Sequence, residues 1–229
     1  MHNMICIGHR GACGYAPENT LEAFELAITM GCPWLELDVY AVAGELLVIH
    51  DDTLERTTNG KGRVMKTPLA TLRALDAGNG QQIPTLREVL ELVDHRAGIN
   101  IELKGPDTAA PVSQLLQAYL VKGWRSDEFM LSSFDHKELA LADPLFRRGA
   151  LFHRSVKNYL ERTDRLGAYS LNLSIRLVSA ELVKAAHEHG LQVFVYTVNE
   201  AADIQRMRDY GVDGIFCNYP DRVQQVQPK

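Results

Sequence analysis

The sequence has no surplus of basic charge: 24 Lys and Arg stand against 29 Asp and Glu, for a formal net charge of −5. Binding along a phosphate backbone leans on a basic face, so no nucleic-acid partner is expected. No apolar run approaches membrane-spanning length, and no membrane partner is expected either. The four cysteines, Cys6, Cys13, Cys32 and Cys217, form no CxxC pair and so suggest no zinc knuckle. Only Met1, His2 and Asn3 precede the strand-like Met4-Ile5-Cys6-Ile7, too little for a secretory signal, which makes a cytoplasmic, soluble protein the default expectation. A Gly-rich nucleotide loop is also missing, because Gly8, Gly11 and Gly14 have the wrong spacing for one. Oligomeric state has no signature in the sequence.

What is present is a chain of 229 residues with 46% hydrophobic content, enough to bury a full core without disulfides or metal staples. Short apolar runs at 4–8, 34–39, 100–103, 129–132, 150–153, 170–173, 192–197 and 214–217 alternate with helical patterns. The helices are expected at 21–30, 86–95, 108–122, 136–142, 156–166, 179–189 and 200–210. Asn19 with Glu22, and Thr85 with Glu88, supply capping-box-like starts, while Gly31, Gly190 and Gly211 supply stops. Strands alternating with helices imply parallel β-α units. Eight units over this length give about 29 residues each, close to what an eight-fold α/β barrel of about 250 residues needs. The expected fold is therefore a TIM-type (β/α)8 barrel, with a doubly wound open sheet as the rival. The alternation lapses once, from about 51 to 83, where a Thr-, Gly-, Asn- and Lys-rich segment suggests a small insertion after the second strand. A run at 46–50 suggests a hairpin extending that strand. No linker divides residues 1–229, so one domain is expected.

Strand parity places the chemistry. Alternate residues share a face, so Trp34, Glu36 and Asp38 point one way, and Asn100, Glu102 and Lys104 do the same on the next barrel strand. Parallel barrel strands are normally apolar on both faces, so charges at the last inward positions belong at the C-terminal mouth. Three converging carboxylates repel one another unless protonated or bound to a cation, and an all-oxygen set suits Mg²⁺ or Ca²⁺. The competing view is a set of structural ion pairs, such as Glu102 with Lys104. Charge counting then suggests a substrate. The three carboxylates outweigh Arg10 and Lys104, but a divalent cation turns the cluster net positive by about one unit, matched to a phosphodiester monoanion. Arg10 offers a planar fork to phosphate oxygens and Lys104 a point charge. His9 and His50, at two strand ends, can exchange protons near neutral pH as acid and base. His153 is intermediate, and the remaining histidines (His2, His95, His136, His187 and His189) are expected to be structural. Cys6 is expected in the core and Cys13 as an inert thiol.

Taken together, His9-Arg10-Gly11, Pro17-Glu18-Asn19-Thr20, Glu36-Leu37-Asp38-Val39, His50-Asp51 and Glu102-Leu103-Lys104 resemble the bacterial glycerophosphodiester phosphodiesterases. The resemblance continues through Ser132-Ser133-Phe134, Tyr196-Thr197-Val198-Asn199 and Gly211-Val212-Asp213-Gly214-Ile215, nearly the whole chain in order. It implies a distorted eight-fold barrel and one divalent cation, Mg²⁺ or Ca²⁺, held by Glu36, Asp38 and Glu102. It further implies His9 and His50 as the acid–base pair, Arg10 and Lys104 on the phosphate, and Phe134 and Tyr196 in the substrate pocket. The implied reaction releases glycerol 3-phosphate and the alcohol of a deacylated phospholipid headgroup, a small-molecule substrate. Two departures stand out. Tyr196 replaces the usual tryptophan, and Cys217-Asn218 stands where a threonine–aspartate pair is common. A phosphatidylinositol-phospholipase C type of barrel and a non-catalytic binding barrel are the competing functional readings.

Overall fold

The alternating pattern becomes a closed sheet. In the structure, a computed structural model that describes residues 4–225, strands β1 (Ile5–Gly8), β2 (Trp34–Val42), β4 (Gly98–Leu103), β5 (Phe129–Ser133), β6 (Arg147–Phe152), β7 (Ser170–Ser174), β8 (Gln192–Tyr196) and β9 (Gly214–Cys217) run parallel. Their neighbours follow in turn, and β9 pairs with β1, which pairs with β2, so the eight close on themselves. The short β3 (Glu45–Val48) is antiparallel to β2 and lies outside the ring. The barrel expected from the alternation is present and the open sheet is not. His2 lies outside the described residues.

Helices cover the outer surface: α1 (Leu21–Thr29), α3 (Leu86–Val93), α4 (Ala109–Val121), α5 (His136–Ala140), α6 (Tyr159–Arg165), α7 (Ala180–Glu188), α8 (Ala201–Asp209) and α9 (Pro220–Gln225), with α2 (Leu69–Ala74) set apart. Outward strand residues such as Leu35, Leu37, Ile99, Ile101, Leu131, Leu171 and Val193 are buried against helix residues such as Phe24, Leu90 and Leu116. Cys6 and Cys32 sit in this layer as expected of small core residues. Inside the barrel a second, smaller layer of Ile7, Met130, Phe194 and Phe216 fills the interior below the mouth. That plug of side chains makes the interior a packed core, not a pore.

Local chemistry explains where the expected boundaries hold and where they move. Thr85 and Glu88 form the capping box of α3, with the Thr85 hydroxyl accepting from Glu88 N and Glu88 accepting from Thr85 N at 2.7 Å. At α1 the cap is Thr20, which accepts from Ala23 N, and not Asn19. Strand β6 begins three residues before the apolar run. Arg147 extends over the Tyr169 ring and Arg148 donates to Leu166 O, so both charged side chains find partners inside a strand. The hairpin turns at Ala43 and Gly44, both with positive φ, the twist a two-residue connection requires. Beyond it, the segment to Ile83 carries α2 and a 3-10 turn at Val64–Lys66. It packs on its own cluster, which includes Leu47, Ile49, Leu54, Val64, Leu72 and Ile83.

The turn after β1 is tightly seated on α1. Ala12 N donates to Ala23 O at 2.9 Å, and a Cβ on Gly11 would lie 2.6 Å from the Ala23 backbone in a conformation with φ near +82°. Gly11→Ala is therefore expected to destabilise the protein by more than about 1 kcal/mol, read from the midpoint of chemical denaturation. An unchanged midpoint would contradict this seating.

Candidate active site

Each functional side chain is delivered by the end of a strand. His9 follows β1, its amide donating to Cys217 O at 3.0 Å. Glu36 and Asp38 point inward from β2, where Asp38 pairs in register with Glu102 of β4. Lys104 is held one step past β4 by its amide on Val39 O at 3.0 Å. The hairpin brings in His50, because Ile49 N donates to Asp38 O at 3.0 Å and carries the next residue to the mouth.

These elements bring together a single acidic cluster. Carboxylate oxygens of Glu36, Asp38 and Glu102 lie within 4.8 Å of one another, and all three residues are buried. Cations and amides surround them. Lys104 Nζ is 2.9 Å from Glu102 Oε1 and 3.6 Å from Asp38 Oδ1, and Arg10 Nε is 3.4 Å from Asp38 Oδ2. The Arg10 amide donates to Glu36 Oε2 at 2.9 Å, made possible by a left-handed backbone at Arg10 with φ near 51°. Asn19 Nδ2 donates to Asp38 Oδ2 at 2.9 Å. The Glu102–Lys104 pair considered as a structural alternative is thus formed. Asp38 is paired too, with Lys104 and Arg10, but among the described residues Glu36 has no cation within ion-pair distance, and Asp38 Oδ1 remains buried with no hydrogen bond.

Electrostatics follow from this packing. Burial, then the charges of Asp38 and Glu102, push Glu36 well above the ordinary carboxylate range. Burial, then Asp38, raises Glu102 to about 7 in spite of Lys104. Burial alone would raise Asp38 as well, but Arg10 and Lys104 hold it below its ordinary value. Neighbouring carboxylates that cannot all ionise are the donor set a hard divalent cation takes up, so these three residues fit a metal site.

A cavity of about 130 Å³ opens over the cluster, lined by His9, Arg10, Glu36, His50, Glu102, Phe134 and Tyr196, together with Asn100, Ser132, Leu151, Thr197 and Phe216. Seven of the nine expected site residues therefore face one space, and Asp38 and Lys104 join it through the contacts above. Phe134 and Tyr196 meet edge to face with ring centroids 5.8 Å apart, and the Tyr196 hydroxyl donates to Phe152 O at 2.7 Å. The hydroxyl that distinguishes Tyr196 from tryptophan is thereby spent on the wall. Exposed His153 stacks edge-on to Phe134 at 5.2 Å. Cys13 is nearby, but burial pushes its thiol up to about 12, as befits an inert residue. The other described histidines have structural partners: His95 stacks on Trp124, His136 contacts Leu151 O, His187 pairs with Asp213 and His189 with Asp164.

The two site histidines are held differently. His50 Nδ1 lies 2.6 Å from Asp51 Oδ1, a carboxylate, whereas His9 Nδ1 lies 2.7 Å from Asn218 Oδ1, a neutral amide. Asn218 is itself anchored by its amide on Asn199 Oδ1 at 2.9 Å. Burial, then the Arg10 charge, lowers His9 to about 4. Sequence reasoning had not singled out Asn100, Ser132, Asn218 or Asn19 as site residues. Asn19 reads as a helix cap in sequence, whereas parity does put Asn100 on the face of Glu102 without marking it as functional.

A family model of glycerophosphoryl diester phosphodiesterases matches residues 9–222. A glycerophosphodiester phosphodiesterase of Caldanaerobacter subterraneus subsp. tengcongensis is 35% identical over 96% of each chain. One of Bacillus subtilis is 33% identical over 98% of this chain and 86% of its own. Among solved structures, an Oleispira antarctica phosphodiesterase in complex with the product sn-glycerol-3-phosphate superposes with a TM-score of 0.90 at 31% identity, covering 97% of this chain and 96% of that one.

Two outcomes are expected of the site itself. Glu102 titrates near 7 against an ordinary 4.5, so the stability linked to its proton is complete below about 4.5 and is lost as pH rises through 7. A divalent cation must displace that proton. Calorimetry with Mg²⁺ or Ca²⁺ should therefore show proton release at pH 6 and weaker affinity as pH falls below 7. Binding without proton exchange at pH 6 would contradict this electrostatic account. Asn218→Asp should raise the His9 titration, because a carboxylate favours the imidazolium, as read by ¹⁵N NMR of the ring. An unmoved His9 would show that Asn218 is not its partner.

Proposed function

Since the chain belongs to the glycerophosphoryl diester phosphodiesterase family, a family of hydrolases, we propose that it cleaves deacylated phospholipids such as glycerophosphocholine or glycerophosphoethanolamine. The products are glycerol 3-phosphate and the free alcohol. The observation that carries this reading is the gathering of three carboxylates, an arginine and two histidines around one cavity. Glu36, Asp38 and Glu102 would hold one divalent cation, Mg²⁺ or Ca²⁺, which when bound draws charge from the non-bridging phosphate oxygens and offsets the net negative cluster. Family membership also favours this reading over the phospholipase C type of barrel.

The chain's own residues then divide the work. Arg10 presents its guanidinium to a phosphate oxygen, and Lys104 balances Glu102 and Asp38 so that the site tolerates an anion. His9 is the proton acceptor in this scheme. Burial and Arg10 keep its ring neutral at pH 7, and an Nδ1–H donating to Asn218 Oδ1 leaves Nε2 free to take a proton from the attacking hydroxyl. His50 is the donor in this scheme, its Nδ1 held by the Asp51 carboxylate at 2.6 Å so that Nε2 is left to give a proton to the departing alkoxide. The attacking hydroxyl is that of water or of the adjacent glycerol carbon, the latter by way of a cyclic phosphate. Phe134 and Tyr196 form an apolar wall for the glycerol carbons.

The test is release of glycerol 3-phosphate from a panel of glycerophosphodiesters with Mg²⁺ or Ca²⁺, followed by ³¹P NMR. His9→Ala and His50→Ala should each lower kcat by at least about 100-fold while the protein stays folded, and chelation by EDTA should silence the wild type. Turnover near the wild-type rate in either variant, or in thoroughly metal-stripped protein, would defeat the assignment. A wild type that binds a diester without cleaving it would instead support the non-catalytic barrel.

A further inference from the structure

Arg56, in the segment after β3, ties the site together from outside the cavity. Its main chain is anchored by the small core beneath it, since Leu54 is buried and Thr58 N donates to Leu54 O at 3.0 Å. Its guanidinium is half-exposed, yet it grips two carboxylates with four hydrogen bonds. Nη1 and Nη2 donate to Glu18 Oε2 and Oε1, each at 2.7 Å, while Nε and Nη2 donate to Asp51 Oδ2 at 2.6 Å and Oδ1 at 2.9 Å. Each carboxylate hands the constraint onward. Glu18 Oε1 accepts from Arg10 Nη1 at 2.8 Å, and Asp51 Oδ1 meets His50 Nδ1 at 2.6 Å. The result is a chain of hydrogen-bonded side chains, Arg10–Glu18–Arg56–Asp51–His50, with Arg56 at its centre.

We propose that Arg56 is a positioning residue, which fixes the Arg10 guanidinium through Glu18 and the His50 imidazole through Asp51 without itself touching the substrate. This rests on the reading of Arg10 and His50 given above. Half-exposed ion pairs contribute little to folding, so stability alone gives no reason for a doubly bidentate arrangement here. Orientation does, because misplacement of a reacting group by about 1 Å costs on the order of 100-fold in rate. The forks also specify the residue. Only a planar guanidinium can satisfy both carboxylates at once, and a lysine in its place keeps the charge but not the geometry.

The experiment compares the full-length, metal-loaded wild type with Arg56→Ala, Arg56→Lys and Arg63→Ala on glycerophosphocholine. Arg63 serves as control, being an exposed partner of Asp52 in the same segment at 3.6 Å. Both Arg56 variants should lose about 10- to 100-fold in kcat, with a raised KM from the loosened Arg10, while Arg63→Ala stays at the wild-type level. Added guanidinium ion should restore part of the activity of Arg56→Ala and none of that of Arg56→Lys. Divalent-cation affinity and Tm should be nearly those of the wild type. A value of kcat/KM within twofold of wild type in Arg56→Ala would overturn the proposal, as would a loss that simply follows a lowered Tm. A second measurement does not depend on turnover: the His50 Nδ1 proton, slowed in exchange by its bond to Asp51, should exchange faster in Arg56→Ala. If the wild type cleaves no diester, the substrate reading fails, and this proton alone decides whether Arg56 holds His50. An unchanged exchange rate would show that it does not.

Discussion

Three carboxylates buried at one end of a packed barrel set the terms for everything around them. Like charges within a few ångströms in a poorly polarisable interior are strongly unfavourable, and the apolar plug of Ile7, Met130, Phe194 and Phe216 below them offers no polar partner from that side. The surrounding chain responds at several positions. Arg10 adopts a left-handed backbone that aims its amide at Glu36 while its side chain reaches toward Asp38. Asn19, also left-handed with φ near 58°, turns its amide onto Asp38. Lys104 lies between Asp38 and Glu102. Even so, burial, and after it the remaining repulsion, holds Glu36 and Glu102 above their ordinary values. Stability is given up locally so that the cluster stays complete, which is the usual mark of a functional site.

Strand parity made much of this legible before any coordinates. A strand forces alternate residues onto one face, so Glu36, Asp38 and Glu102 had to converge once β2 and β4 were neighbours, and the register Asp38 to Glu102 follows from that pairing. Capping chemistry was equally local, and Thr85 with Glu88 behaves as its spacing demands. What escaped was whatever depends on contacts distant in sequence. Asn19 has the composition of a cap, yet Thr20 takes that place and Asn19 serves Asp38, 19 residues away. The start of β6 was hidden because Arg147 and Arg148 look polar in sequence and find their partners only in the folded barrel. Arg56 carried no signal of its own, since its pairing with Glu18 spans 38 residues and its pairing with nearby Asp51 depends on how the segment after β3 turns back on itself.

The hairpin shows how a second core enlarges what a barrel can present. Eight parallel strands supply side chains only from their own ends, and β2 has already committed Glu36 and Asp38 there. By turning back at Ala43 and Gly44, the chain brings β3 alongside β2 and adds His50 and Asp51 to the mouth from a strand that is not part of the ring. The cluster of Leu47, Ile49, Leu54, Val64, Leu72 and Ile83 then gives the added segment a rigid base. A long connection without such a core would leave His50 on a mobile loop, where orientation to within an ångström is hard to maintain.

The remaining asymmetry is between the two histidines. Each has its Nδ1 engaged, which leaves Nε2 directed away from the partner and sets the tautomer in which the ring works. A carboxylate partner stabilises the protonated ring; an amide partner orients the ring without that stabilisation. In this chain the carboxylate serves His50 and the amide serves His9, with Arg10 adding to the burial that keeps His9 neutral. An amide at Asn218 rather than a carboxylate therefore keeps the geometry of His9 and leaves out the charge that would draw a proton to it. In the proposed scheme the proton acceptor has to begin neutral, which is what burial, Arg10 and an uncharged partner provide for His9.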